Sequence, residues 1–129
     1  MTDQVAVVSG ASLGIGRSTA LALARSGARV VVNYRSHADE AQQVVDEITE
    51  LGSQAIAVQA DVSDQAAVEQ LVQAAVDEFG RLDIAVSNAA YSDRELYFEA
   101  NMEGFRRTVD VTLWGAFYLM RAATQQYIK

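Results

Sequence analysis

The sequence predicts an α/β fold: a doubly wound parallel sheet of four strands in the order 3-2-1-4, with helices on both faces. Three observations carry this. Short β-branched runs alternate along the chain with longer amphipathic stretches. The first three of those stretches each stop at a glycine, at Gly27, Gly52 and Gly80. Strands joined by helices pair parallel, and right-handed crossovers leave few topologies.

Taken in order, Val5–Ser9 is the first β-rich run, and Ala11–Ser26 carries helix formers. Arg29–Tyr34 is β-branched and reads as a buried strand. Ala41, Val44, Val45, Ile48 and Leu51 recur at helical spacing. Ala55–Val58 is the third strand. Ser63 is placed to cap a helix whose apolar positions are Val68, Leu71, Val72, Ala75, Val76 and Phe79. Ile84–Val86 is the fourth strand, and Ala89–Ala100 reads as loop. Asn101 is placed to cap a last helix running to Tyr127, about 40 Å at 1.5 Å per residue. The stripe Phe105, Val109, Leu113, Phe117 and Met120 on that helix fits core packing or subunit contact, with core the preferred reading. Residues 1–129 read as a single, partial domain, because the chain stops inside or just after this helix. The fold is therefore expected to be C-terminally truncated, half to two-thirds of a doubly wound sheet.

Composition excludes several classes. The net charge of −7, with no basic stripe, argues against nucleic acid as a partner. There are no cysteines, hence neither disulfides nor thiolate chemistry. No apolar run approaches the roughly 18 residues of a membrane span, and no signal-peptide pattern opens the chain. The expectation is a cytoplasmic protein without membrane partners. His37 stands near a helix start beside Asp39 and Glu40 with no second ligand apparent, and no metal-binding spacing occurs.

The stretch Ser9-Gly10-Ala11-Ser12-Leu13-Gly14-Ile15-Gly16 follows the first strand and opens a helix within a βαβ unit. Gly10 lets the chain leave the strand at a backbone angle that other residues resist. Gly14 leaves room for a pyrophosphate, and Gly16 lets helix and strand pack closely. The helix N-terminus then presents free N–H groups and a partial positive charge to phosphate, with Ser12 as a further donor. A ligand-free strand–helix turn is the alternative, and the context disfavours it.

These residues resemble the Thr-Gly-x-x-x-Gly-Ile-Gly signature of the short-chain dehydrogenases/reductases. Asp61-Val62 resembles that family's adenine-contact pair. Ser87-Asn88-Ala89-Ala90 resembles its Asn-Asn-Ala-Gly motif, and Val109–Gly115 the helix segment carrying a catalytic asparagine. The nearest likeness is to glucose-dehydrogenase-like and 3-oxoacyl-carrier-protein-reductase-like members. The resemblance implies a Rossmann-type fold, NADP or NAD as cofactor, and reversible hydride transfer between the nicotinamide and an alcohol or carbonyl. It implies cofactor contacts from Gly10, Ser12, Leu13, Gly14, Ile15, Gly16, Tyr34, Arg35, Ser36, Asp61, Val62, Asn88, Ala89 and Ala90. It also implies a homo-oligomer built through the long C-terminal helix. Asp61 has a second reading as a turn residue, and Asn88 one as a structural tie between strands.

An acid at the end of the second strand would grip the 2′-hydroxyl of NAD. Asn33-Tyr34-Arg35-Ser36 stands there instead. Arg35 offers a planar fork to a 2′-phosphate and Ser36 a hydroxyl, so NADP is favoured over NAD. Leu13 points the other way, standing where many NADP-preferring relatives carry a basic residue. Arg17 adds positive potential near the phosphates or is a plain surface arginine.

Proton delivery is missing. In the resembled family a tyrosine donates the proton, its pKa lowered by a lysine four residues on. Four positions after Tyr34, Tyr91, Tyr97 and Tyr118 stand Ala38, Glu95, Asn101 and Ala122, and the only lysine is the terminal Lys129. The strand that would carry the family's serine is absent as well. Thr112 takes the place of the catalytic asparagine; its hydroxyl is expected not to reproduce the amide's donor–acceptor pair. No catalytic set is complete. The chain alone is expected to be inactive, and any carbonyl or alcohol substrate requires the missing part. The alternative is a non-catalytic dinucleotide-binding or subunit-interaction module.

Overall fold

The computed structural model describes residues 2–129. Four strands form one parallel sheet: β1 (Val5–Val8), β2 (Arg29–Tyr34), β3 (Ala55–Gln59) and β4 (Ile84–Val86). Their order is β3-β2-β1-β4, as the sequence predicts. Val5 lies opposite Arg29, Ala6 opposite Ile84, and Val30 opposite Ala55.

Side chains alternate across the sheet and divide the core in two. Val5, Val7 and Val31 pack with Val68, Leu71 and Leu119 on one face. Val8, Val30 and Val32 pack with Ala20, Leu21, Val44 and Ile48 on the other. Helices α1 (Gly14–Arg25) and α2 (Ala38–Glu50) cover the second face. Helix α3 (Gln65–Phe79) and the C-terminal helical run cover the first. Because β2 and β4 flank β1 on opposite sides, the strand order reverses there. The carboxyl ends of the strands open a crevice at that switch point.

Three expectations need correction. Helix α1 begins at Gly14, not Ala11, because the preceding residues form the glycine turn. Helix α3 is capped by Asp64, whose carboxylate accepts from the amides of Ala66 and Ala67, and not by Ser63. The last helix does start at Asn101, whose side chain accepts from the Glu103 amide at 2.7 Å. It runs as α4 (Met102–Thr108), a π-helical segment (Val109–Trp114) and α5 (Gly115–Tyr127). Its apolar stripe is not core. Phe105, Leu113, Phe117 and Met120 are 55–62% exposed, while Val111, Gly115, Leu119, Ala122 and Ala123 are buried. The buried row mixes bulky Val111 and Leu119 with small Gly115, Ala122 and Ala123, and at Gly115 the helix lies too close to its neighbour for any side chain. A Cβ on Gly115 would stand 2.7 Å from Val62 Cγ2. Among the described residues, no helix is long and apolar enough to cross a membrane.

Candidate functional site

The carboxyl ends of the strands open into a cavity of about 360 Å3, within the ~300–1,000 Å3 common for small-molecule sites. Its wall joins Gly10 and Ser12 after β1; Tyr34, Arg35 and Ser36 after β2; Asp61 and Val62 after β3; and Asn88, Ala89 and Ala90 after β4. Residues far apart in sequence thus meet where the sequence places a ligand. Leu13, Gly14, Ile15 and Gly16 do not line this cavity. They form the N-cap and first turn of α1.

That turn is held by geometry only glycine meets. Gly10 has φ +62° and Gly14 φ +59°, a region that costs other residues about 1–2 kcal/mol. Gly16 is required for space: a Cβ there would run into the Gly10 carbonyl oxygen and stand 2.5 Å from Asn88 Nδ2. No side chain caps α1 among the described residues. By helix geometry the amides of Gly14, Ile15 and Gly16 have no acceptor within the helix, and Arg17 is the residue whose N–H reaches back to the Leu13 carbonyl, at 3.2 Å.

Two polar residues fix the strand ends. Asn33, 1% exposed, accepts from the Gly10 amide at 3.1 Å and donates from Nδ2 to the Val58 and Ala60 carbonyls, both at 3.2 Å. It thereby ties β1, β2 and β3. Asn88 Nδ2 donates to the carbonyls of Ser9 (3.2 Å) and Gly10 (3.0 Å), and Ser9 Oγ accepts from the amides of Asn88 and Ala89. The structural-tie reading of Asn88 is therefore seen directly.

Asp61 sits at the far wall. Its Oδ1 accepts from the Ser63 amide (3.0 Å) and hydroxyl (2.8 Å), and its Oδ2 from Arg107 at 3.0 Å. Burial pushes the carboxyl upward, but the bonds from Ser63 and the Arg107 guanidinium outweigh it and hold the pKa below the usual carboxylate range. Arg17 reaches away to Glu47 at 2.5 Å, whereas Arg35 forms no ion pair among the described residues. Thr112 Oγ1 accepts from the Tyr91 amide (3.2 Å) and donates to the Tyr91 carbonyl (3.1 Å). The threonine hydroxyl thus ties the loop after β4 to the long helix. His37 is the N-cap residue of α2, exposed on the cavity rim with its ring 3.4 Å from Ser36 Oγ. No metal-binding cluster occurs among the described residues.

The family model for short chain dehydrogenases matches residues 4–129. The chain belongs to the short-chain dehydrogenase family. It is 42% identical over its whole length to a 3-oxoacyl-[acyl-carrier-protein] reductase of Synechocystis sp., covering 52% of that protein. It is 39% identical to an L-rhamnose 1-dehydrogenase (NAD(P)(+)) of Sphingomonas sp., covering 51% of it. The fold superposes on a short chain dehydrogenase of Burkholderia cenocepacia in complex with NADP, with TM-score 0.94, 35% identity and 97% of this chain matched to 51% of that one. A short chain dehydrogenase from Mycobacterium avium gives TM-score 0.93 at 39% identity, over 98% of this chain and 48% of that one. The chain spans about half the length of the curated relatives it matches.

Tyr91 lines the cavity, as expected of the stretch Tyr91–Glu99, whereas sequence reasoning gave no site role to Asn33, Ala60, Arg107 and Val111, which also line it. Asn33 had a signal, as the lone amide among the valines of a buried strand. Arg107 had none, since its partner Asp61 lies 46 residues away.

Proposed function

We propose that this chain is the dinucleotide-binding part of a short-chain oxidoreductase that prefers NADP, and that it binds the dinucleotide without turning over by itself. When bound, the nicotinamide gives or takes a hydride at an alcohol or carbonyl carbon; the chain's own residues bind and orient the cofactor. The observation that carries the reading is the meeting in one cavity of Arg35, which has no ion-pair partner among the described residues, with the glycine turn of a helix that no side chain among them caps. The amides of Gly14, Ile15 and Gly16 and the α1 dipole suit the diphosphate. Ser12 stands beside them at the cavity wall. The apolar side chains of Leu13 and Ile15, 49% and 80% exposed at this helix start, are free to cover a ligand. Tyr34 stands at the adenosine end of the wall, and there Arg35 and Ser36 suit a 2′-phosphate, with no carboxylate in the Asn33–Ser36 stretch to repel it. Asp61 and Val62 fit the adenine edge, and Asn88, Ala89 and Ala90 the ribose on the nicotinamide side. Thr112 occupies the family's asparagine position.

Calorimetric titration with NADPH and NADH tests this. NADPH is expected to bind at least about tenfold more tightly, the value of one charge-assisted contact. Equal affinities would overturn the NADP preference, and turnover of ketones by the isolated chain would overturn its inactivity.

The exposed stripe of Phe105, Leu113, Phe117 and Met120 favours a second role for the helix, as the contact between two copies. Light scattering is expected to show a dimer at micromolar concentration; a strict monomer would overturn this role.

A further inference from the structure

We infer that Arg107 is a positioning residue for base recognition: it holds the Asp61 carboxylate so that the cavity selects a purine bearing an exocyclic amino group over a 6-keto purine. This rests on the reading of the cavity as a dinucleotide site and deepens it at the base end.

The argument begins with lone pairs. An ionised carboxylate offers about four acceptor positions and no donor. Ser63 fills two on Oδ1, through its amide and hydroxyl, and Arg107 fills one on Oδ2. The position left is on the oxygen that Arg107 holds, at the wall of the cavity, where the Asp61 side chain is 36% exposed. An acceptor fixed there pairs with an amino N–H and repels a keto oxygen.

Arg107 does more than neutralise. Its Nη1 donates to Ser63 Oγ at 2.9 Å while Nη2 donates to Asp61, so the planar fork braces both members of the turn. It also offsets a negative charge in a cavity meant for an anionic ligand. The helical run that carries it touches the same turn a second time, where Gly115 lies against Val62. The base end of the site is thereby set by the long helix and not by its own loop alone.

The test titrates NADPH and its hypoxanthine analogue into the 129-residue chain and into Arg107→Met and Arg107→Lys variants, with thermal melts to establish folding. The wild type is expected to prefer adenine about tenfold or more. Arg107→Met is expected to fall to within about threefold, through loss of adenine affinity, because the acceptor is no longer held. Arg107→Lys keeps the charge but lacks the fork, and is expected to give an intermediate ratio. Should the methionine variant fail to fold, the lysine variant decides: an intermediate ratio supports the inference and an unchanged one overturns it. A methionine variant with the wild-type ratio, or one losing both ligands equally, overturns it, the latter by assigning Arg107 to phosphate attraction. A wild type that binds both analogues alike overturns the inference alone. A wild type that binds neither overturns the reading of the cavity with it.

Discussion

Replacing Gly16 with alanine adds one methyl group at the most crowded point of the turn. That methyl would meet the Gly10 carbonyl, with the carbonyl carbon 2.9 Å away, and stand 2.5 Å from Asn88 Nδ2. Neither neighbour is the free end of a flexible chain: one is backbone, and the other is held by bonds to Ser9 and Gly10. Overpacking of this kind costs about 1–3 kcal/mol. Displacing Asn88 from the Gly10 carbonyl adds roughly 1 kcal/mol. Alanine's better helix propensity returns about 0.5–1 kcal/mol. The net loss is about 2 kcal/mol. For 129 residues, at about 2.1 cal/mol/K of unfolding entropy per residue, that lowers Tm by about 7 °C. Urea unfolding and a thermal melt read it. Gly14→Ala is the control: nothing lies within 4 Å of its Cβ, and only the φ of +59° opposes it, a cost of about 1 kcal/mol. A Gly16→Ala protein melting within a degree of wild type would refute the close-packing argument.

Asn33→Leu strands the Gly10 amide and removes the side-chain bonds to the Val58 and Ala60 carbonyls, and is expected to cost about 2–4 kcal/mol in urea unfolding. Arg35→Met is expected to weaken NADPH binding about tenfold or more while leaving NADH unchanged, read by calorimetry. Acid should destabilise the fold through Asp83 and Asp61. Arg81 and the Val5 amide hold the Asp83 carboxyl below its usual range against burial, and Asp61 is lowered likewise. A carboxyl depressed by folding adds stability above its unfolded pKa of about 3.9, and that stability is lost as pH falls through the lower folded value. The gap in urea midpoint between wild type and Asp83→Asn is therefore expected to shrink below about pH 4.

The sheet and its glycine turn were legible because their determinants are local. Val5–Val8 is a strand by its own residues, and glycine spacing declares the turn that follows. Strand order followed from chain topology. The long helix was misread because hydropathy marks large apolar residues wherever they stand, whereas its buried row combines Val111 and Leu119 with small residues. Gly115, Ala122 and Ala123 carry little hydropathic signal yet are buried, and at Gly115 a Cβ would meet Val62. The cap of α3 was missed by one residue, because Ser63 and Asp64 are both good caps and Ser63 is taken by Asp61 and Arg107. The Arg107–Asp61 pair depends on tertiary proximity that no spacing rule contains. The role of Thr112 was hidden because its partner is the backbone of Tyr91, and backbone leaves no mark in a sequence.

The central claim is that the α1 turn receives a diphosphate while Arg35 receives the 2′-phosphate. Amide chemical shifts of the 15N-labelled chain, followed through a titration with NADPH and then NADH, test it most directly. Large shifts at Gly14, Ile15 and Gly16 with both ligands, and at Arg35 and Ser36 with NADPH alone, are the predicted result. Saturating NADPH that leaves the Gly14–Gly16 amides unmoved, or moves residues remote from the cavity instead, would contradict it.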